Sequence, residues 1–385
     1  MVLIALLTAL MASPVGASRP PRGEIVADVR CVDDPAQGYA LYLPSTYTAD
    51  REWPVIFAFD PGGRGLNPVE RYKAAAEKYG YIVAGSNNSR NGSWDITKAA
   101  VSAMTHDVAT RFSIAMKREY VAGMSGGSRV ALGVALSSQG IAGVFASSAG
   151  YPDSRPRTEL AFPVFETAGT EDFNWIEMRQ MARALKTPHR LAIFEGGHIW
   201  LPADVATEGV EWMEIQAMKS GRKPRAQAEI DSIYAERIAK VDQTGDHVDA
   251  EQSAAVSAIV EDFTGLEDVT RFSAKAKQLA ADKRVRDELK KDVDLETKET
   301  ATNQIILGEE SLLTDSAHRA GALKQLRERW KALSEAAKVP EDTPERRMAR
   351  RVLGGLSVRL SEGGMTQDPE YLAIVREYRP ARPGR

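Results

Sequence analysis

The sequence feature that most constrains this chain is a short glycine-rich turn around Ser125. The turn, Gly123-Met124-Ser125-Gly126-Gly127, lies between an aromatic and β-branched run at residues 118–122 and an apolar run at residues 130–136. The first run predicts a strand and the second predicts a buried helix. A Gly-x-Ser-x-Gly pattern between a strand and a helix is typical of a tight turn that exposes the serine hydroxyl. Ser125 is therefore a candidate nucleophile.

The chain around this turn alternates between strand-like and helix-like patterns. The strand-like runs cover residues 24–30, 39–43, 53–59, 81–84, 118–122, 141–146, 162–167 and 190–194. Several of them are apolar at nearly every position, which is typical of strands that are covered by helices on both faces. The patterns between them predict helices at residues 69–79, 97–112, 130–136, 175–185 and 204–218. We therefore predict an α/β fold with a doubly wound, mostly parallel sheet.

The composition changes after Gly221. Five of the six tryptophans and 21 of the 30 glycines lie at or before this residue, and no convincing strand pattern follows it. Amphipathic patterns predict helices at residues 226–241, 250–263, 268–281, 296–313, 317–337 and 345–360. We therefore predict a catalytic domain at residues 18–221 and a second, all-helical domain at residues 222–385.

Charge and composition exclude several classes of partner. The net charge of −3 provides no basic field for nucleic acid. No stretch reaches the ~20 apolar residues that a membrane-spanning helix needs. Residues 1–17 contain a short apolar segment followed by small residues, which predicts a signal peptide and a secreted or periplasmic protein. Cys31 is the only cysteine, and we expect it to be a small core residue.

A serine nucleophile needs a base, and chain order selects one histidine. In hydrolases with this turn the order is serine, acid, histidine, with each residue just after a strand. The candidate base is His198, which follows the last predicted strand in a Gly-Gly-His turn. The other histidines lie in a helix before the turn, at the start of the last strand, or in the helical domain: His106, His189, His247 and His318.

The acid is expected after the preceding strand, at the same edge of the sheet. Asp172 follows the run at residues 162–167 and lies 26 residues before His198. Glu171 is adjacent and is the alternative acid. Because side chains of neighbouring loop residues point apart, only one of the two should face the imidazole. We prefer Asp172 and expect Glu171 to be a solvated or helix-capping charge.

Two loops supply candidates for binding the substrate. The oxyanion needs N–H donors, and Gly126 offers a backbone amide directly after the nucleophile, at a helix N-terminus. A second donor is expected from Gly62 or Gly63, in the loop after the strand at residues 53–59. The loop at residues 85–94 follows another strand, and we predict that Arg90 or Trp94 lines the substrate pocket.

These residues together resemble a known family. The matching segments are Asp107-x-x-x-Arg111-Phe112, the run at residues 118–127, Gly169-Thr170-Glu171-Asp172 and Gly196-Gly197-His198. Residues 39–218 resemble an α/β-hydrolase of the branch that contains polyhydroxyalkanoate depolymerase-like and feruloyl-type esterases. The resemblance implies a Ser125–His198–Asp172 triad and ester hydrolysis through an acyl-enzyme. This chain departs from the family at Asp60-Pro61, where relatives commonly have His-Gly, and the resemblance does not cover the helical domain.

Several alternatives stay open at this point. A serine peptidase uses the same machinery as an esterase, and a binding protein could retain a vestigial hydrolase domain. The helical domain could be a lid over the active site, a surface for a protein partner, or a stabilising appendage. Zinc and phosphate-binding motifs are missing from the sequence, so we expect no metal and no cofactor. The expected substrate is a small-molecule or polymeric ester.

Overall fold

The computed structural model describes residues 20–243, 248–361, 363 and 367–378. The predicted signal peptide and His247 lie outside the described residues, so export stays a prediction. Eight strands form one sheet in the order β1-β2-β4-β3-β5-β6-β7-β8. Their bounds are β1 Ile25–Arg30, β2 Gly38–Tyr42, β3 Trp53–Phe59, β4 Ile82–Ser86, β5 Ile114–Met124, β6 Gly143–Ser147, β7 Val164–Gly169 and β8 His189–Phe194.

The sheet is mostly parallel. Strands β1 and β2 pair antiparallel with each other, and β2 pairs antiparallel with β4; every pairing from β4 to β8 is parallel. The register aligns the last residues of neighbouring strands, as in the pairs Phe59 with Gly123 and Gly169 with Phe194. The loops that leave β3, β5, β7 and β8 therefore meet at one edge of the sheet.

Helices cover both faces of this sheet. Helices α2, α3 and α4 contribute to one apolar core, and helices α1 and α5 contribute to the other. The bounds are α1 Leu66–Tyr79, α2 Trp94–Arg111, α3 Gly126–Ser137, α4 Trp175–Ala184 and α5 Ala203–Lys219. This architecture confirms the predicted doubly wound α/β fold. Cys31 is buried in the first core, and burial together with the nearby charge of Asp107 raises the pKa of its thiol to about 11.

After Gly221, the described part of the chain forms helices and no strand of the sheet. They are α6 Gln227–Gln243, α7 Ala250–Phe263, α8 Thr270–Ala281, α9 Lys283–Ser311, a 3₁₀ turn at Leu312–Thr314, α10 Arg319–Ala337, α11 Pro344–Ser361 and α12 Pro369–Tyr378. The all-helical prediction for this region is confirmed. Over the residues that the structure describes, no helix combines the length and apolarity needed to cross a membrane.

The helical region contains two separate apolar cores. Helices α6 to α8 share one core with Ile215 and Met218 of α5, so they pack on the last helix of the α/β part. Helices α9 to α12 build the other core around Leu326 and Trp330. The core of α6 to α8 includes residues on both sides of residue 221, so the domain boundary drawn there stays a prediction.

Two helices differ from the sequence-based expectation. Helix α9 begins at Lys283 rather than near residue 296, because its first turns are held by an Asp282 cap and present mostly charged side chains. Such a segment has no apolar periodicity to predict it. Helix α12 was not predicted. It has only 10 residues, and it packs Tyr371, Ile374 and Val375 into the core that helices α9 to α12 share.

Candidate active site

Ser125 lies at the tight turn between β5 and α3. Its backbone has φ 54° and ψ −124°, a strained conformation for a residue with a side chain. The turn has no space for further β-carbons: one on Gly123 would lie 2.0 Å from the carbonyl oxygen of Gly127. One on Gly127 would lie 1.9 Å from the carbonyl oxygen of Phe59. These two glycines therefore allow the close approach of three backbone segments that present the Ser125 hydroxyl.

The structure brings Ser125, His198 and Asp172 into one hydrogen-bonded chain. His198 Nε2 lies 2.8 Å from Ser125 Oγ, and His198 Nδ1 lies 2.8 Å from Asp172 Oδ1. The Asp172 side chain is fully buried, and the His198 side chain is 18% exposed. A carboxylate only accepts hydrogen bonds, so Nδ1 carries the proton toward Asp172. Nε2 is then left to accept the proton of the Ser125 hydroxyl.

The acid loop, which we define as residues 170–173, is joined to the loop that carries His198. The Thr170 amide donates to the Phe194 carbonyl at 2.9 Å, and the Glu171 amide donates to the Gly196 carbonyl at 2.8 Å. Asp172 Oδ1 also accepts from the backbone amide of Asn174 at 2.8 Å. These bonds couple the position of the carboxylate to the position of the imidazole.

Glu171 does not have the role expected from the sequence. Its side chain points away from the imidazole, as expected for the neighbour of Asp172, but it is neither a solvated charge nor a helix cap. Glu171 Oε1 accepts a hydrogen bond from Arg350 Nη1 of α11 at 2.7 Å, and Arg346 Nη2 lies 3.8 Å away. Glu171 is therefore a contact between the acid loop and the helical region.

Phe173 was missed by the sequence analysis. Its ring stacks on the His198 imidazole, with 3.9 Å between ring centroids and 29° between ring planes. A phenylalanine next to a predicted acid is the only signal in the sequence, and it is a weak one. The apolar Phe173 ring covers one face of the imidazole, so the His198 ring is in contact with Asp172, Ser125 and Phe173.

The other described histidines lie away from this chain of hydrogen bonds. His106 is exposed and pairs with Asp33, and His318 is exposed and pairs with Asp315. The ring of His189 bonds to the Thr187 carbonyl at the start of β8. Across the described residues, no group of three or more His, Cys, Asp or Glu side chains could hold a metal ion.

The loop after β3 folds around the carboxylate of Asp60. The Gly62 amide donates to Asp60 Oδ1 at 2.8 Å, and the Gly63 amide donates to the Asp60 carbonyl at 3.1 Å. Both amides are therefore already used inside the loop. This geometry does not support the predicted roles of Gly62 and Gly63 as oxyanion donors. The sequence could not show this, because the same Asp-Pro-Gly-Gly residues can form a turn whose amides point into the site or a turn whose amides bond to the aspartate.

Asp60 also joins this loop to the loop of His198. Trp200 Nε1 donates to Asp60 Oδ2 at 2.7 Å, and Arg64 Nε lies 3.0 Å from Oδ1. Burial raises the pKa of the Asp60 carboxyl, but the bonds from Trp200, Arg64 and Gly62 outweigh burial and hold its pKa below the ordinary value. The carboxylate is therefore a structural anchor at the edge of the site.

Gly126 is the first residue of α3, where the backbone amides are not used inside the helix. The carboxamide of Asn91 lies directly against it. A β-carbon on Gly126 would lie 1.8 Å from Asn91 Oδ1 and 3.2 Å from Asn91 Nδ2. The Asn91 backbone is held by a 2.8 Å bond from its amide to the Pro61 carbonyl. Asn91 thus places a polar side chain beside the Ser125 turn, and only other residues of this loop were predicted from the sequence.

The two predicted substrate residues lie on either side of Asn91. Arg90 is exposed and forms an isolated backbone bridge with Gly62. Trp94 begins α2, is 48% exposed, and packs its ring near Gly133 of α3. Both residues are at the correct edge of the sheet, and their role in binding substrate stays a prediction.

Comparison with known proteins finds likenesses in structure only. No protein-family model matches the sequence, and no curated protein sequence matches it. The structure is similar to an S-formylglutathione hydrolase from Staphylococcus aureus, with 13% identity, TM-score 0.38, and coverage of 46% of this chain and 92% of that chain. It is similar to a ferulic acid esterase, with 13% identity, TM-score 0.39, and coverage of 49% and 94%. It is also similar to an acylaminoacyl peptidase from Pyrococcus horikoshii, with 13% identity, TM-score 0.35, and coverage of 46% and 39%.

These identities and TM-scores are too low to assign a reaction or a substrate to this chain. The strand order and the turn around Ser125 are direct observations and do not depend on them. The loops after β5, β7 and β8 carry a serine, an aspartate and a histidine in that chain order, and the hydrogen bonds join them in space. The α/β part of this protein has the α/β-hydrolase fold.

Proposed function

We propose that this protein is a serine hydrolase that cleaves carboxylic esters through an acyl-enzyme. One observation carries the proposal: the chain of two 2.8 Å contacts from Asp172 through His198 to Ser125. No requirement of the fold places a serine, a histidine and a buried carboxylate in this order at three strand ends. The arrangement supplies a nucleophile, a base, and an acid that orients the base.

In the first half of the proposed reaction Ser125 is acylated. Ser125 Oγ attacks the ester carbonyl carbon while its proton moves to His198 Nε2. The carbonyl π electrons move to the oxygen and form a tetrahedral oxyanion. When this intermediate collapses, the bond to the alcohol oxygen breaks, and the departing alkoxide takes the proton from Nε2. The products of this half are the free alcohol and an acyl group on Ser125.

In the second half water removes the acyl group. A water molecule gives a proton to His198 Nε2 while its oxygen attacks the acyl carbon. The second oxyanion collapses, the bond to Ser125 Oγ breaks, and Oγ takes the proton back from Nε2. Throughout both halves the Asp172 carboxylate stays hydrogen-bonded to Nδ1 and stabilises the imidazolium that forms.

In this proposal two groups donate to the oxyanion. The Gly126 amide follows the nucleophile at the N-terminus of α3. The second donor in this proposal is Nδ2 of Asn91, which would lie 3.2 Å from a β-carbon on Gly126, because the amides of Gly62 and Gly63 are already used by Asp60. A side-chain amide can replace a backbone amide in this role when its position is fixed. The bond from the Asn91 backbone to Pro61 fixes the base of this side chain.

Labelling with a fluorophosphonate probe tests the proposal. The probe should modify wild-type protein on Ser125, and Ser125→Ala should not be labelled. Ser128→Ala is the matched control, because Ser128 lies three residues later and its hydroxyl bonds to the Ala149 carbonyl. That control should be labelled like wild type. Folded wild-type protein that takes no label, or takes it on another residue, would contradict the proposal and favour a vestigial hydrolase domain.

A serine peptidase is the second candidate, because the same triad cleaves amides. Short-chain aryl esters and aminoacyl amides, compared at matched concentrations, distinguish the two functions. We expect kcat/KM for the esters to exceed that for the amides by several orders of magnitude. Comparable values for the two substrate classes would make the protein a peptidase.

A further inference from the structure

Helix α11 of the helical region lies along both loops that carry the base and the acid. Three pairs of residues, each four positions after the last, face these loops: Arg346 and Arg347, Arg350 and Arg351, Gly354 and Gly355. Four residues are about one helical turn, so the three pairs form one stripe on the helix. The stripe contacts the acid loop, and Arg347 Nη2 also lies 3.5 Å from Glu195 Oε1 in the loop before His198.

Arg351 is the buried centre of this contact. Its side chain is 2% exposed, and its Nη1 donates to the carbonyl oxygen of Thr170 at 2.7 Å. The other side of the guanidinium pairs with Glu299 of α9, with Nη2 2.6 Å from Oε2. The guanidinium carbon also lies 4.1 Å from the ring centroid of Trp175 in α4. One side chain thus joins α9, α4 and the first residue of the acid loop.

The Gly354–Gly355 step extends the contact to the imidazole. A β-carbon on Gly355 would lie 3.5 Å from Phe173 Cβ, and one on Gly354 would lie 3.6 Å from Phe173 Cδ1. At these distances a β-carbon would be in ordinary van der Waals contact with Phe173, so this turn of α11 lies close to the Phe173 side chain. Phe173 lies between the glycine pair and the ring of His198, on which it stacks. Helix α11 is therefore connected to His198 through the side chain of Phe173.

We propose that α11 positions the catalytic groups and that Arg351 is its main positioning residue. The inference rests on the proposed function, and it gives the helical region a role beyond a lid or an appendage. Arg351 donates to the Thr170 carbonyl, Arg350 donates to Glu171, and the Gly354–Gly355 turn lies beside Phe173. Together these three contacts fix the position of the acid loop. Asp172 and Phe173 of that loop hold the imidazole of His198 next to Ser125.

The chain offers a matched control on the same two helices. Arg359 lies two turns after Arg351 on α11 and pairs with Glu310 of α9, with Nη2 2.5 Å from Oε2. Arg351→Ala and Arg359→Ala therefore each remove an arginine of α11 that pairs with a glutamate of α9. Arg351 also donates to the Thr170 carbonyl of the acid loop.

The test compares full-length Arg351→Ala and Arg359→Ala on a small aryl ester. The concentration of active sites is counted by fluorophosphonate labelling, so that a loss of folded protein does not count as a loss of kcat. We expect Arg351→Ala to lower kcat about 10- to 100-fold, with KM within about threefold of wild type, because a small displacement of catalytic groups has this effect. Arg359→Ala should keep kcat and KM within about threefold of wild type.

A spectroscopic signature separates positioning from folding. An imidazole N–H that donates to a carboxylate gives a downfield proton resonance, which can be assigned by its loss in His198→Ala. This resonance should weaken or broaden in Arg351→Ala and persist in Arg359→Ala. If Arg351→Ala does not fold, the double variant Glu299→Leu with Arg351→Met replaces the buried pair by apolar side chains and still removes the bond to Thr170.

The outcomes are distinguishable. Inactive, unlabelled wild-type protein contradicts the proposed function itself. Active wild type, with folded Arg351→Ala or the double variant matching Arg359→Ala in kcat and in the downfield resonance, overturns the positioning role of α11. A selective loss of kcat and of the resonance in the Arg351 variants supports it.

Discussion

The two groups of helices after Gly221 attach to different parts of the α/β region. Helices α6 to α8 pack on α5, at the face of the sheet that α1 and α5 cover. Helices α9 to α12 have their own core and reach the catalytic loops through α11. Both groups bury apolar cores, but their polar side chains contact different parts of the α/β region. Helices added to one fold can therefore differ in the role that they have.

The anchoring residues of the two groups make the contrast explicit. In the first group the buried Asp262 of α7 accepts from Arg190 Nη2 at 2.9 Å and from Trp212 Nε1 at 2.9 Å. In the second group the buried Arg351 bonds to the acid loop. Asp262 therefore connects to a strand and a sheet helix, whereas Arg351 connects to the segment that holds Asp172. We expect the first contact to govern stability and the second to govern catalysis.

Asp262→Ala should have the largest effect of the variants considered in this comparison, and it should be on stability alone. Removal of the carboxylate takes this acceptor away from the partly buried Arg190 and the buried Trp212, and loss of one partner of a buried pair typically costs about 3–5 kcal/mol. Urea denaturation measures the loss, and kcat per labelled active site should stay at the wild-type value. Glu261→Ala is the control, because Glu261 is 67% exposed and its alanine variant should stay within about 0.5 kcal/mol. A fall in kcat at intact folding would break the distinction between the groups.

Glu166→Gln tests the sheet core, which belongs to neither group. Glu166 lies on β7, is fully buried, and neither carboxyl oxygen has a hydrogen-bond partner among the described residues. Burial raises the pKa of its carboxyl from 4.5 to about 8. An unfolded glutamate ionises near pH 4.5, so this group contributes most stability below that pH and loses it as the pH rises to about 8.

The expected result for Glu166→Gln is a stability difference that depends on pH. The free energy of unfolding of the variant should rise relative to that of wild type between pH 5 and 8, by on the order of 3 kcal/mol at pH 8, because glutamine cannot ionise. Denaturant titrations across this range measure the difference. A difference that is the same at pH 5 and pH 8 would show that Glu166 does not hold its proton in the folded protein. Glu159→Gln, at an exposed position, serves as the control.

Asn91→Ala tests the catalytic side of the comparison without the helical region. Loss of the second oxyanion donor should lower kcat for a small ester about 10- to 100-fold and leave KM nearly unchanged. Unfolding free energy should stay within about 0.5 kcal/mol, since Asn91 is exposed. Asn88→Ala is the control in the same loop: Asn88 Oδ1 accepts from the Gly38 amide, so this variant should lose stability and retain kcat. Wild-type kcat in Asn91→Ala would remove Asn91 from the mechanism.

Trp94→Ala and Arg90→Ala should have the smallest effects. Both side chains are exposed at the edge of the sheet where open α/β folds bind ligands. We expect KM to rise about two- to fivefold in each variant, with kcat and stability close to wild type, because contacts with the substrate are lost. Steady-state kinetics on a small and a bulky ester measure both constants. Unchanged KM in both variants would end the prediction that this loop lines the pocket.

The sequence predicts for a physical reason that the three residues of the hydrogen-bonded chain lie together. In a parallel sheet the carboxyl ends of strands meet at one edge, so Ser125, Asp172 and His198 could be placed together from strand ends alone. Chain order set aside His106, and His189, His247 and His318 were set aside because none of them follows the end of a predicted strand of the sheet. The same reasoning could not foresee that the amides of Gly62 and Gly63 bond to Asp60, because the direction of a loop amide depends on which group accepts from it.

The contacts of the helical region could not be predicted from the sequence. Arg350 and Glu171 are 179 positions apart, and Arg351 and Thr170 are 181 apart. Nothing in the local pattern of α11 distinguishes an arginine that binds a loop carbonyl from one on a solvated face. The first half of α9 was missed for a related reason: charged side chains dominate it, so its helical periodicity carries no apolar signal.

The central claim is that Ser125 becomes acylated during ester hydrolysis, and an acid quench during turnover tests it most directly. Wild-type protein mixed with a p-nitrophenyl ester is quenched within the first turnover, digested, and analysed by mass spectrometry. The account predicts one acyl group on the peptide that contains Ser125, which forms and decays at rates compatible with kcat. Ser125→Ala should carry no acyl group and show no turnover. An acyl group on another residue, or full turnover by Ser125→Ala, would contradict the account.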